Sequence, residues 1–133
     1  MFDSVLTSSV QWLRVQQRQI WKPPTDVYET DFCIVVKIEI AGLRREDFTI
    51  SLADRVLTVR GVRRDPTSEL ASQQIAYQQL EINYGEFQTE VYLPQPINEK
   101  GEIEATYEQG FLTILLPKAE AHRVPVTERD RTT

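Results

Sequence analysis

The feature that most constrains this chain is a change in the period of its hydropathy. From Thr25 to Pro117 apolar side chains recur at every second position, most plainly at Ile34, Val36, Ile38 and Ile40, with Lys37 and Glu39 between them. Successive side chains of an extended strand point to opposite faces, so this pattern buries one face and solvates the other. Phe48, Ile50 and Leu52 alternate with Thr49 and Ser51, and Leu57 and Val59 alternate with Thr58 and Arg60. Ala53-Asp54-Arg55 between these runs predicts a hairpin. Phe87–Leu93, Ile103–Tyr107 and Phe111–Leu116 read as further strands, the last two joined by Gln109-Gly110, where glycine supplies a positive φ. Pro94, Pro96 and Pro117 stand at strand ends, where a missing N–H does little harm. Short strands with such regular punctuation predict an all-β fold, an immunoglobulin-like antiparallel sandwich of seven to eight strands.

Three regions follow: an arm over residues 1–20, a sandwich domain over 21–118 and a tail over 119–133. In the arm, Phe2, Val5, Leu6, Val10, Trp12 and Leu13 have the spacing of an amphipathic helix, with Asp3 or Ser4 as a cap. Its polar side is rich in Gln and Ser, so the stripe needs a partner surface, and Pro23-Pro24 ends the helix. Residues 64–84 form a loop too long for a simple connection, and only Ile75-Ala76-Tyr77 within it resembles a strand. The polar tail holds one apolar island, Val124-Pro125-Val126. Pro125 keeps it extended, so both valines project to one side, as in a segment that adds to a sheet edge; a frayed tail is the other reading. Each buried valine contributes at most about 1.5–3 kcal/mol. A single contact of this kind exchanges readily, and many in a symmetric assembly act together.

Catalytic chemistry finds no foothold. A chain of 133 residues is one domain plus tails, and its charge of −5 opposes polyanion binding, so no nucleic-acid partner is expected. Arg44-Arg45 and Arg63-Arg64 read as a solvated strand rim. The one histidine, His122, lies in the tail, away from any nucleophile that it would have to serve. Cys33, the one cysteine, reads as a buried, inert thiol. Glu102 and Glu104 flank Ile103 at strand period, so with Glu99 they form a solvated face rather than an acid–base pair. Five glycines make no phosphate loop, and no metal-ligand spacing is present. The expectation is a protein that is not an enzyme, with no catalytic residue, metal or cofactor. Asp3, Thr7, Ser8, Ser9 and Gln11 break any apolar leader, and no run spans a membrane, so the cytoplasm is expected.

Six segments in order resemble the small heat-shock proteins and their α-crystallin domain, of the bacterial and archaeal type. They are Trp21-Lys22-Pro23-Pro24-Thr25-Asp26-Val27-Tyr28-Glu29, Ile40-Ala41-Gly42-Leu43 with Asp47-Phe48, Leu57-Thr58-Val59-Arg60-Gly61, Tyr84-Gly85-Glu86-Phe87 with Leu93-Pro94, Ala105-Thr106-Tyr107-Glu108-Gln109-Gly110-Phe111-Leu112, and Val124-Pro125-Val126. The fifth is similar to the family's A-x-x-x-n-G-v-L signature, with Gln109 where Asn is usual.

The resemblance implies an ATP-independent chaperone, a holdase for non-native client proteins, built as a homo-oligomer from dimers. It implies that the long loop carries a strand exchanged between subunits, with Ile75-Ala76-Tyr77 adding beside Val27-Tyr28-Glu29 of the partner and Trp21 at the root of that segment. The tail anchor would dock in a groove at Phe48, Ile50, Leu52, Ile103 and Ala105. The arm would take part in client capture. Thr89 and Ile82 stand where the family commonly has Arg, which removes cations from the dimer region, and valines in the anchor bury less surface than isoleucines. The alternative is a CS-domain-like co-chaperone adaptor that docks a single folded partner. Such an adaptor would be a monomer or simple dimer by light scattering, whereas the arm, loop and tail point to an oligomer.

Overall fold

The strands are β1 (Thr25–Glu29), β2 (Cys33–Glu39), β3 (Phe48–Ala53), β4 (Val56–Arg63), β5 (Gly85–Tyr92), β6 (Glu104–Glu108) and β7 (Phe111–Pro117), seven among the described residues. The structure is a computed structural model that describes residues 19–70, 72–120 and 124–129, so the stripe Phe2, Val5, Leu6, Val10, Trp12 and Leu13 lies outside the described residues. Two antiparallel sheets form, one in the order β1-β2-β7-β6 and the other β3-β4-β5. Among the described residues no helix is long and apolar enough to cross a membrane.

The inward faces are those that the alternation specifies. Ile34, Val36, Ile38, Leu112, Ile114 and Leu116 from the first sheet meet Leu57, Val59, Phe87 and Val91 from the second, all buried in one core. Val35 points to the opposite face of β2 and is buried as well. Its register neighbours are Tyr28 on β1 and Leu115 on β7, and side chains directly opposite on one face cover each other. Cys33, expected to be buried, is only half-buried, because it opens β2 at the rim of the sheet. Phe32 precedes the strand and is exposed in a turn, where Thr30 Oγ1 accepts from the Phe32 and Cys33 amides.

Both tight turns place two successive residues at positive φ, as a two-residue hairpin whose twist matches its strands requires. They are Asp54 (50°) and Arg55 (65°) between β3 and β4, and Gln109 (51°) and Gly110 (81°) between β6 and β7. Gly61 serves a different end. It pairs with Phe48 on one side and Phe87 on the other, and a Cβ there would press on the Asp47 carbonyl and stand 2.7 Å from Phe87 Cζ. The missing side chain makes room for the Phe87 ring.

One element departs from expectation. The loop between β4 and β5 holds a 3-10 turn at Pro66–Leu70, and Ile75-Ala76-Tyr77 forms no strand within the chain. Tyr77 instead turns its hydroxyl to Thr67 Oγ1 at 3.1 Å, while Thr67 donates to Asp65 Oδ1 through its amide (2.9 Å) and hydroxyl (2.6 Å). A three-residue strand needs a neighbour to pair with, and among the described residues neither sheet includes this segment.

Two substitutions test these assignments by denaturant unfolding. Gly61→Ala should lower stability by about 1–3 kcal/mol or more, through overpacking against Phe87. Gln109→Asn should raise it by roughly 0.5–1 kcal/mol, because Asn tolerates the left-handed region better than Gln.

Candidate functional site at the open edges of the sandwich

The two sheets leave strand edges unpaired, and the candidate site residues gather there. β3 is the outer strand of its sheet and β6 the outer strand of the other. They flank the same side of the sandwich, since Phe48 on β3 and Tyr107 on β6 pack with ring centroids 5.8 Å apart. Phe48, Ile50 and Leu52 are half-buried against the core, and Thr49, Ser51 and Ala53 between them face out. Ile103, just before β6, and Ala105 within it are exposed on the opposing edge. The five residues expected to line an anchor groove thus belong to two facing, unpaired edges.

Tyr107 packs beside Phe48 where these two edges meet, a role not read from the sequence. Its hydroxyl donates to the Ile40 carbonyl at 2.8 Å and accepts from the Leu43 amide at 3.2 Å, pinning the connection between β2 and β3. Its position two beyond Ala105 and four beyond Ile103 was the available signal. The tail segment is not covered by its own chain: Val124 is 76% exposed and Val126 is 93% exposed.

The other open edge is β1, which pairs only with β2. Val27 (42%) and Tyr28 (48%) are exposed there. Besides its ladder with β2, three contacts tie this segment to its own domain. The Glu39 amide donates to Pro24 O at 3.0 Å, Lys118 pairs with Glu29 at 3.2 Å, and Thr25 joins Thr89 on the opposite sheet at 3.1 Å between hydroxyls. Because Thr25 Oγ1 donates to Pro23 O at 2.9 Å, the Thr89 hydroxyl is the donor to Thr25. Thr89 is 1% exposed, so a residue expected at a dimer surface lies inside the sandwich, where a hydroxyl finds a partner and an unpaired guanidinium would not. Ile82 lies exposed in the long loop, as do Ile75 and Ala76, while Tyr77 is half-buried.

Trp21 sits apart from β1, against the edge of β5. Its amide donates to Glu86 O at 3.1 Å, its carbonyl accepts from the Gln88 amide at 2.9 Å, and its ring lies 5.8 Å from that of Phe87. The basic pair at the end of β4 divides: Arg64 stays on a solvated rim, and Arg63 does not. Arg64 bonds Asp47 at 3.0 Å, and Arg63 is half-buried between aromatic rings. Among the described residues no group of three His, Cys, Asp or Glu side chains could hold a metal ion.

The model of the Hsp20/alpha crystallin family matches residues 26–130. The chain is 34% identical over 98 residues to small heat shock protein C2 of Rickettsia felis, covering 74% of this chain and 61% of that one. It is 33% identical over 95 residues to heat shock protein HSP.16.4 of Streptococcus thermophilus, covering 71% and 64%. The chain therefore spans less than two thirds of the length of either relative. Heat shock protein 16.0 from Schizosaccharomyces pombe superposes with a TM-score of 0.67 at 25% identity, over 83% of this chain and 98% of that structure.

The Thr25–Thr89 contact yields a prediction of its own. Thr89→Val should cost about 0.5–1.5 kcal/mol of domain stability. Thermal unfolding of the variant beside the unmodified protein measures it, and an unchanged midpoint would remove the bond from any role in holding β1.

Proposed function

This chain belongs to the Hsp20/alpha crystallin family, and from that membership we propose that it is an ATP-independent holdase, binding partly unfolded proteins and keeping them from aggregating. The observation that supports the reading is the presence, in one chain, of two facing open edges and an exposed apolar tail segment. Phe48, Ile50 and Leu52 present apolar surface between two unpaired strand edges, and Val124 and Val126 stand free of it in the same chain. An extended tail can add backbone hydrogen bonds to such an edge while alternate side chains enter the groove. Seated on a neighbouring subunit, it would link dimers into an oligomer.

Two valines contribute at most about 3–6 kcal/mol together, before the cost of ordering the tail. One docked tail therefore leaves easily, and the assembly persists because many tails hold it at once. Release of tails uncovers the groove, and release of arms uncovers the stripe of Phe2, Val5, Leu6, Val10, Trp12 and Leu13. Both are apolar surfaces of the kind that non-native chains expose and seek. Dimers would form when Ile75-Ala76-Tyr77 adds to the free edge of β1 on the partner subunit. This would supply the pairing strand that the segment does not find among the described residues. Binding and release then need no catalytic residue, metal or cofactor, and the clients are recognised by exposed apolar surface rather than by sequence.

Val124→Ala combined with Val126→Ala should shrink the oligomer towards dimers, read by light scattering, while circular dichroism stays that of a folded β domain. An unchanged particle mass would discard the anchor. Removal of residues 1–20 should weaken suppression of client aggregation severalfold with little loss of domain stability, and full protection by the truncated chain would place client capture elsewhere.

A further inference from the structure

Arg63 ends β4, where sheet gives way to the long loop, and three segments remote in sequence converge on its guanidinium. Nε donates to the Asn83 carbonyl at 2.8 Å and Nη2 donates to the same oxygen, so the first and last residues flanking the loop are tied together. Nη1 donates to the Ala41 carbonyl at 3.4 Å, on the connection between β2 and β3. The flat faces of the group are also engaged: Trp21 lies 4.6 Å and Tyr84 5.4 Å from the guanidinium carbon, each to the ring centroid. A guanidinium suits all of these at once, because it donates in its plane and its flat faces can lie against aromatic rings. Burial lowers the Arg63 pKa, and Tyr84 and Tyr107 oppose that shift. An arginine remains cationic under such a shift.

We infer that Arg63 is a positioning residue that couples the root of the arm to the root of the long loop. Trp21 stands where residues 1–20 join the sandwich, and Asn83-Tyr84 stands where the loop returns to it. When Trp21 swings away, one face of the guanidinium meets water, and the donors aimed at Asn83 gain a competitor. When the loop root opens, the cation loses the carbonyl that holds it over the indole. Loosening at either place therefore favours loosening at the other, and the coupling is reciprocal as any coupling of equilibria must be. Its consequence for chaperone action rests on the reading above: if the loop joins dimers and the arm captures clients, subunit exchange and client exposure become one linked event.

Limited chymotrypsin digestion of the full-length chain tests this, because slow cleavage in a native protein tracks the population of the locally open form. The sites are Trp21 and Tyr84, with Phe111 on β7 as an internal control. Trp21→Leu keeps an apolar contact with Phe87 and removes the π face. It should speed cleavage after Tyr84 by about two- to thirtyfold, the span of a cation–π contact, and leave cleavage after Phe111 unchanged. Arg63→Lys keeps the charge without the planar fork and should speed cleavage after Trp21 to a similar degree. The inference is overturned if the Tyr84 rate ignores Trp21→Leu, if the Trp21 rate ignores Arg63→Lys, or if all three sites accelerate equally. Failure of the dimer reading would show separately, as a monomer when the unmodified chain is sized, and would not alter the digestion result.

Discussion

Everything in this structure depends on two sheets of unequal width sharing one apolar core. Ile34, Val36, Ile38, Ile114 and Leu116 of the four-stranded sheet need Leu57, Val59 and Phe87 of the three-stranded sheet to leave water. Hydrophobic burial of this kind is strong and non-directional, so it fixes which faces meet without closing the sheets into a barrel. An open sandwich retains edges, and an edge is a row of backbone donors and acceptors without partners. Many proteins blunt such edges. Here the edge of β5 is bridged by Trp21, whereas β1, β3 and β6 remain open among the described residues.

Those open edges turn a stability problem into a binding surface. Facing edges with half-buried Phe48, Ile50 and Leu52 between them can accept an extended segment, and the loose edge of β1 can accept another. The contacts available are individually weak, and weakness suits the proposed holdase, which has to release what it holds. The interior is arranged quite differently. Thr89 and Thr25 bridge the sheets through hydroxyls, and Tyr107 ties β6 to the β2–β3 connection through two hydrogen bonds. Framework and edges thus rest on separate sets of residues, and Arg63 stands at the boundary, with hydrogen bonds to the β2–β3 connection and to the loop root and aromatic contacts with Trp21 and Tyr84.

The fold itself was legible because its cause is local. Alternation at Ile34, Val36, Ile38 and Ile40 determines which face a strand buries, and Gln109-Gly110 determines where the chain reverses, whatever the rest of the molecule does. The groove residues Phe48, Ile50, Leu52, Ile103 and Ala105 were named through family resemblance, since nothing in the alternation of β3 says that β6 will lie opposite it. The place of Thr89 is hidden from the sequence for the same reason. A threonine on a strand looks equally at home inside or outside, and only the approach of Thr25 from the other sheet gives its hydroxyl a buried partner.

What the sequence determined alone was therefore the set of strands, their inward faces, their turns and the apolar islands left over. Tertiary structure decided which edges remain open and face each other, that Ile75-Ala76-Tyr77 joins neither sheet among the described residues, and that a basic pair resembling a solvated rim contains an arginine set against aromatic rings. The physical reason is range. Side-chain alternation acts between residues two apart, whereas an edge, a groove or a guanidinium between two rings exists only once strands distant in sequence have been brought side by side by the core.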